Sequence, residues 1–279
     1  MKTRRSTKII IYLFLLLYSI TTLFPFLWMV AASFKTSGAI FEIPPKLIPD
    51  LLFKEGMWSN YIEVLTEHNF LKYLGNSLFI STVASLGQLL TCSLAAFAFA
   101  RMEFKGKNII FAVLIAMMMI PVEVTIIPEF LMFSSINWLN TYLPLIVPSL
   151  LVGSFGTFML REFYQSIPSS LVDAAIMDGA KPFQIYRRIF LPLSKAPLAT
   201  LFIIAFMNNW NDILRPVLYI NSPEKRTVTL GLTEFQSLYS TDWNLLLTAS
   251  VIAIIPMIII FIVAQKYIIE GMVNSGIKG

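Results

Sequence analysis

Charge is what this chain has least of: 13% of its 279 residues are Asp, Glu, Lys or Arg, against about 25% in an ordinary soluble domain. One cysteine, Cys92, excludes an internal disulfide framework and any Cys-rich metal site. One histidine, His68, leaves little for imidazole chemistry, and with no second histidine beside it a metal site is not expected. No GxxxxGK[ST] phosphate loop, no metalloprotease HExxH and no Ser, His and acid pattern of a hydrolase triad occurs. No catalytic residue, metal ligand or cofactor bound by this chain is therefore expected. Internal repeats and low-complexity stretches are also missing.

What is there is apolar. Hydrophobic residues make up 57% of the chain and the mean hydropathy is +0.74, the composition of an integral membrane protein. The net charge of +5 does not point to nucleic acid, because Lys and Arg gather beside apolar runs rather than on one basic face. Six spans are expected, at about 9–32, 73–100, 109–128, 138–160, 198–220 and 245–267. The first run is too long for a signal-peptide core and reads as an uncleaved span. Pro121 interrupts the third, and Pro144, Pro148, Gly153 and Gly156 mark the fourth as kinked and closely packed. The division expected is 1–72, holding the first span and an external loop with an amphipathic pattern at Trp58, Tyr61 and Leu65, and 73–279, the remaining spans. With both termini in the cytoplasm, fourteen Lys and Arg lie inside and seven outside, which satisfies the positive-inside rule.

On that topology the polar interlude Ser169–Pro192 is cytoplasmic. Ser170 and Asp173 have capping-box spacing for a helix start. Gly179 suits a left-handed helix end, and Pro182 suits the first position of a second helix. That second helix carries Phe183, Tyr186 and Phe190 at helical spacing, with Arg187 and Arg188 near its negative end. Pro192 discourages continuation.

The run Asp173-Ala174-Ala175, three residues, Gly179, nine residues, Ile189, one residue, Leu191-Pro192 resembles the cytoplasmic EAA loop of permease subunits of bacterial ABC importers, with Asp173 where that family usually has Glu. Pro168, the Trp210-Asn211-Asp212 triplet, the Gln265-Lys266 to Gly271 stretch and the Ile277-Lys278-Gly279 ending are similar to carbohydrate importers of the maltose type. The resemblance implies an all-α, six-span, type I ABC importer permease in the bacterial cytoplasmic membrane, with its EAA loop at about 161–196. It also implies a second homologous permease, a pair of ATPase subunits that hold ATP and Mg, an external solute-binding protein and a sugar substrate. Asp173, Ala174, Ala175, Gly179, Ile189, Leu191 and Pro192 are then the ATPase-coupling residues. Ala174 and Ala175 let a partner approach the helix backbone, and Arg187, Arg188 and Lys278 are candidates for contact with the ATPase or lipid phosphates. The Asn221–Asn244 connection would face the binding protein.

Within the spans, Glu123 and Asp212 fall in the outer part of the membrane core. Asp212 has Arg215 as a helical neighbour, so a local ion pair competes with a ligand role. Asn208, Asn209, Asn211 and Asp212 are the candidates for a translocation path, although the amides can equally bond neighbouring helices. Three rival functions remain: an ABC permease for another solute such as a glycerol phosphate ester, an ion-coupled secondary carrier, and a membrane enzyme, for which no acid-base or metal constellation is present in the sequence.

Overall fold

The computed structural model describes residues 5–44, 46, 48–49, 53, 55–237 and 240–276, with the backbone alone for 5–6 and 267–276. The ending with Lys278 lies outside the described residues. Among them the structure is helical, with one isolated antiparallel bridge, Gln236 to Thr241. Four helical stretches are long and apolar enough to cross a membrane: Thr7–Ser33, Phe70–Arg101, Leu143–Ser166 and Trp243–Lys266. Two bent pairs bring the number to as many as six: Lys107–Met119 with Val122–Ser135, bent by 100°, and Pro182–Leu193 with Lys195–Trp210, bent by 81°. The four long helices follow the first, second, fourth and sixth hydrophobic runs, the third run bends, and the 81° bend falls ahead of the expected fifth span, between the hook and Lys195.

The chain forms two compact units, Met1–Leu71 with Gly231–Ile255, and Lys72–Leu230 with Pro256–Gly279. In the first, α1 (Arg5–Ser33) is followed by a 3-10 turn at Ser37–Phe41 and by α2 (Ser59–Thr66). The carbonyls at the end of α1 have no intrahelical partners, and buried Asn60 answers them, donating to Ser33 O at 2.8 Å and Lys35 O at 3.0 Å. Asn244 and Thr248 of α14 (Trp243–Gly276) join the same cluster, at 3.2 Å to Asn60 Oδ1 and to Ser33 O. The buried face of α2 is Asn60 and Val64. Trp58, expected on that face, is exposed and stacks edge-on against Phe34 and Tyr61.

The second unit begins in α3 (Phe70–Arg101), then α4 (Lys107–Ala116), α5 (Val122–Ser135), α6 (Leu143–Leu150) and α7 (Ser154–Ser166). Pro121 caps α5 in an extended conformation, which turns the expected third span through its 100° bend. Small residues set the spacing, as expected of membrane helices. A Cβ on Gly156 would lie 2.9 Å from both Leu201 methyls and 3.0 Å from Cys92 Sγ, and one on Gly87 would fall inside the Leu150 side chain. Between α6 and α7, Thr91 Oγ1 donates to Leu151 O at 3.2 Å and Cys92 Sγ to Gly153 O at 3.3 Å. Irregular backbone at membrane depth is thus covered from within the protein.

Candidate functional site: a helical hook on the second unit

Past α7 the backbone is extended at Ile167 and Pro168, and α8 runs Ser169–Met177. Pro168 occupies the N-cap position, and no side chain caps the helix. The capping box expected of Ser170 and Asp173 therefore does not form: the N-cap is Pro168, two residues earlier, and Asp173 stands exposed in the middle of the helix. The far end is as expected. Gly179 is left-handed, at φ 77°, its N–H donates to Ile176 O at 2.9 Å, and that of Ala180 donates to Ala175 O at 2.9 Å. This is the paired closure of a Schellman motif, open to glycine without a Cβ penalty.

The second arm opens with Pro182, and Gln184 Oε1 accepts from the Lys181 N–H at 2.8 Å. It runs unbroken through α9 (Pro182–Ile185), a π turn (Tyr186–Phe190) and α10 (Leu191–Leu193). Pro192 does not end the arm. It supplies no N–H, the turn before it widens, and the break comes at Ser194, whose Oγ donates to Phe190 O at 2.6 Å. There the chain bends into α11 (Lys195–Trp210).

The root of the hook is core. Ile185, Tyr186 and Phe190 pack in one cluster with Cys92, Ala96 and Phe97 of α3, Leu160 and Tyr164 of α7, and Leu201 of α11. Ala175, Ala180, Ile189 and Leu191 are half-buried against it. Tyr186 OH bonds to Ser93 Oγ, and Phe190 meets Phe97 and Tyr164 edge-on. Arg101, the last residue of α3, donates from Nη2 to the carbonyls of Tyr164 at 2.7 Å, Gln165 at 3.5 Å and Ile167. Its guanidinium lies over the Phe190 ring, 5.4 Å from the centroid.

The outer face differs in character. Met177 is 87% exposed and Phe183 63%, with Leu171 and Ile176 also outward. The Phe183 ring lies 5.9 Å from that of Tyr186, so it continues the stripe of Tyr186 and Phe190 outward, from the core to the exposed edge. Phe183, Gln184, Arg187 and Arg188 line an open concavity of about 460 Å³. Asp173, Ala174, Gly179 and Pro192 are exposed as well.

The other candidate residues are elsewhere. α11 ends at Trp210, short of the expected Ile220, and α12 covers Leu214–Tyr219. Asn209 Oδ1 accepts from Ser149 Oγ at 3.3 Å, an interhelical amide bond, while Asn208 and Asn211 are exposed. Asp212 pairs with Arg215 at 3.6 Å, and its carbonyl accepts from Thr229 Oγ1 at 2.7 Å, covering the break after α11. Glu123 is exposed at the start of α5.

At the other end of the unit is an arrangement that sequence patterning does not single out. Asn140, at φ 58°, donates through its backbone N–H to Tyr219 O at 2.7 Å and through Nδ2 to Ser222 Oγ at 2.7 Å. Its Oδ1 accepts from the backbone of Asn221 and Ser222, and its carbonyl from Lys225 Nζ. Asn76 donates to the carbonyls of Glu224 and Arg226, both at 2.9 Å. The start of the Asn221–Asn244 connection is held from both sides. An asparagine in a polar stretch at Asn140, able to adopt left-handed backbone, was the one available signal.

Residues 88–274 match the family described as the binding-protein-dependent transport system inner membrane component. The chain belongs to that family. The arabinooligosaccharides transport system permease protein AraQ of Bacillus subtilis (strain 168) is 32% identical over 273 residues, covering 98% of this chain and 96% of the relative. The sn-glycerol-3-phosphate transport system permease protein UgpE of Salmonella typhi is 32% identical over 279 residues, covering 98% and 99%. Among solved structures, a bacterial ABC transporter involved in the import of the acidic polysaccharide alginate has a chain with a TM-score of 0.80 and 22% identity, covering 95% of this chain and 98% of that one. It shares the fold. The protein is accordingly a multi-pass inner membrane component of an ABC importer, a transporter subunit rather than an enzyme.

Proposed function

We propose that this inner membrane component passes a sugar or oligosaccharide across the cytoplasmic membrane and is driven through the hook Ser169–Leu193 by a separate ATPase. The observation that carries the reading is the two-sided hook. Its root is fused into the core through Tyr186 and Phe190, while Met177 and Phe183, cytoplasmic on the Lys and Arg count, present apolar surface, Phe183 beside Arg187 and Arg188. Large apolar side chains in water mark a protein contact. Asp173, Ala174, Ala175 and Gly179 form the edge that a partner meets, and Ile189, Leu191 and Pro192 tie it to α11. The reading assigns ATP and Mg to an ATPase pair, and places a second permease and an external binding protein beside this chain, with both termini in the cytoplasm on the Lys and Arg count.

AraQ favours an oligosaccharide as cargo, whereas UgpE, at equal identity, favours a glycerol phosphate ester. The assembled importer in proteoliposomes, supplied with its binding protein and each ligand class in turn, separates them. Hydrolysis stimulated by a neutral oligosaccharide supports the first, and stimulation by the phosphate ester alone replaces it with the second. Uptake that persists without the ATPase and collapses with an uncoupler overturns both.

A further inference from the structure

The Lys and Arg residues after the second span read as topology signals, but Arg101 is not a free surface charge. It closes a thirty-two-residue helix, α3, and its guanidinium meets three other pieces of the chain. Nη2 donates to the carbonyls of Tyr164, Gln165 and Ile167, at the negative end of α7, where backbone acceptors have no helical donor. The planar group lies over the ring of Phe190 in the second arm, and the carboxylate of Asp173 in the first arm acts on it electrostatically. A lysine could supply the charge and donors for these carbonyls, which all accept from Nη2, but not the planar fork that lies over Phe190. Its Nε is buried without a hydrogen-bond partner, so the present arrangement does not use every donor the group has.

We infer that Arg101 is a positioning residue for energy coupling: it locks the hook to α3, so that displacement of the hook by a partner moves that span. Phe190 fastens the second arm to the core by packing, and Tyr186 adds a hydrogen bond to Ser93 in the middle of α3. Arg101 joins the end of α7 to the Phe190 ring of the second arm from one helix end, within the field of Asp173 in the first arm. Rigid elements joined by packed side chains and by hydrogen-bonded groups are what transmit a displacement, and Arg101 makes both kinds of contact at the end of α3. The inference rests on the hook being the seat of the ATPase.

The test uses the whole importer in proteoliposomes with Arg101→Gln, Arg101→Lys and, as a control on the hook itself, Ala174→Trp. Three quantities are read: ATPase retained on purification, ATP hydrolysis stimulated by liganded binding protein, and uptake per ATP hydrolysed. Arg101→Gln is expected to retain the ATPase and to lower uptake per ATP by about tenfold, within the usual span of coupling between sites. Arg101→Lys, which keeps the charge and loses the fork, is expected to fall between it and the unaltered protein. If Arg101→Gln fails to reach the membrane, Arg101→Lys is read in the same way, and an unchanged ratio overturns the inference. Parallel loss of uptake and hydrolysis, in proportion to the complex recovered, reduces Arg101 to a helix cap and also overturns it. Ala174→Trp is expected to shed the ATPase. Should it retain both ATPase and uptake, the hook is not the seat and the inference falls with that reading; should it fail while Arg101→Gln behaves normally, only the inference falls.

Discussion

The backbone N–H of Ala180 donates to the carbonyl of Ala175 at 2.9 Å, folding the chain back across left-handed Gly179. A Cβ on Gly179 meets nothing within 4 Å. Conformation, not space within this chain, thus calls for glycine. Gly179→Ala costs about 1 kcal/mol, Gly179→Asn less, and both are expected at normal levels in membranes with measurable uptake. Gly179→Trp, whose ring projects outward, is expected at normal levels with uptake lost; normal uptake by it removes close partner approach from the account of this turn.

Gly156 makes the opposite case. Leu201 and Cys92 fill the space where its side chain would be. Gly156→Val is expected to lower the thermal midpoint of the purified protein, at an overpacking cost of about 1–3 kcal/mol. Adding Leu201→Ala should recover part of that loss, and strict additivity of the two changes would contradict the contact.

Asn140 combines a backbone and a side-chain requirement. Asn140→Gly keeps the left-handed backbone and gives up the contacts to Ser222 and Asn221, at about 1–3 kcal/mol, and Asn140→Ala adds strain to that. Trypsin cleavage after Lys225 or Arg226 is expected to quicken in the order unaltered, Gly, Ala. Equal rates for all three would mean that Asn140 does not hold this connection.

Asp212 separates structure from cargo contact. Its pair with Arg215 is longer than a good charge-assisted bond and partly exposed, worth under about 1 kcal/mol. The bond from Thr229 goes to its backbone carbonyl and survives substitution. Asp212→Asn is expected to keep most of the uptake, and a loss of tenfold or more would identify the carboxylate as a ligand.

Local rules were legible in the sequence where one residue decides the backbone. Gly179 ends α8 and Pro182 opens the second arm because φ is free in one and preset in the other. The start of α8 was misread because Pro168 outranks a side-chain cap at Ser170. The interruption at Pro121 was legible from the proline itself, but its angle and the bend at Ser194 were not readable from apolar runs, since hydropathy reports immersion and not direction. Arg101 and Asn140 were missed for a further reason: their partners lie more than sixty residues away along the chain, beyond any local pattern. Asn209 was left open between two uses of an amide, and its Oδ1 accepts from Ser149 on α6.

The contact of Cys92 with Gly156 and Gly153 has a practical side. The lone thiol of this protein is fully buried, with its hydrogen directed to the Gly153 carbonyl. Maleimides and spin labels reach such a group slowly, so the unaltered protein serves as its own unreactive background. A cysteine placed at Ala174 or Met177, both exposed, becomes the one site that takes up a probe, and distances from the hook can be followed through a transport cycle without first engineering the native thiol away.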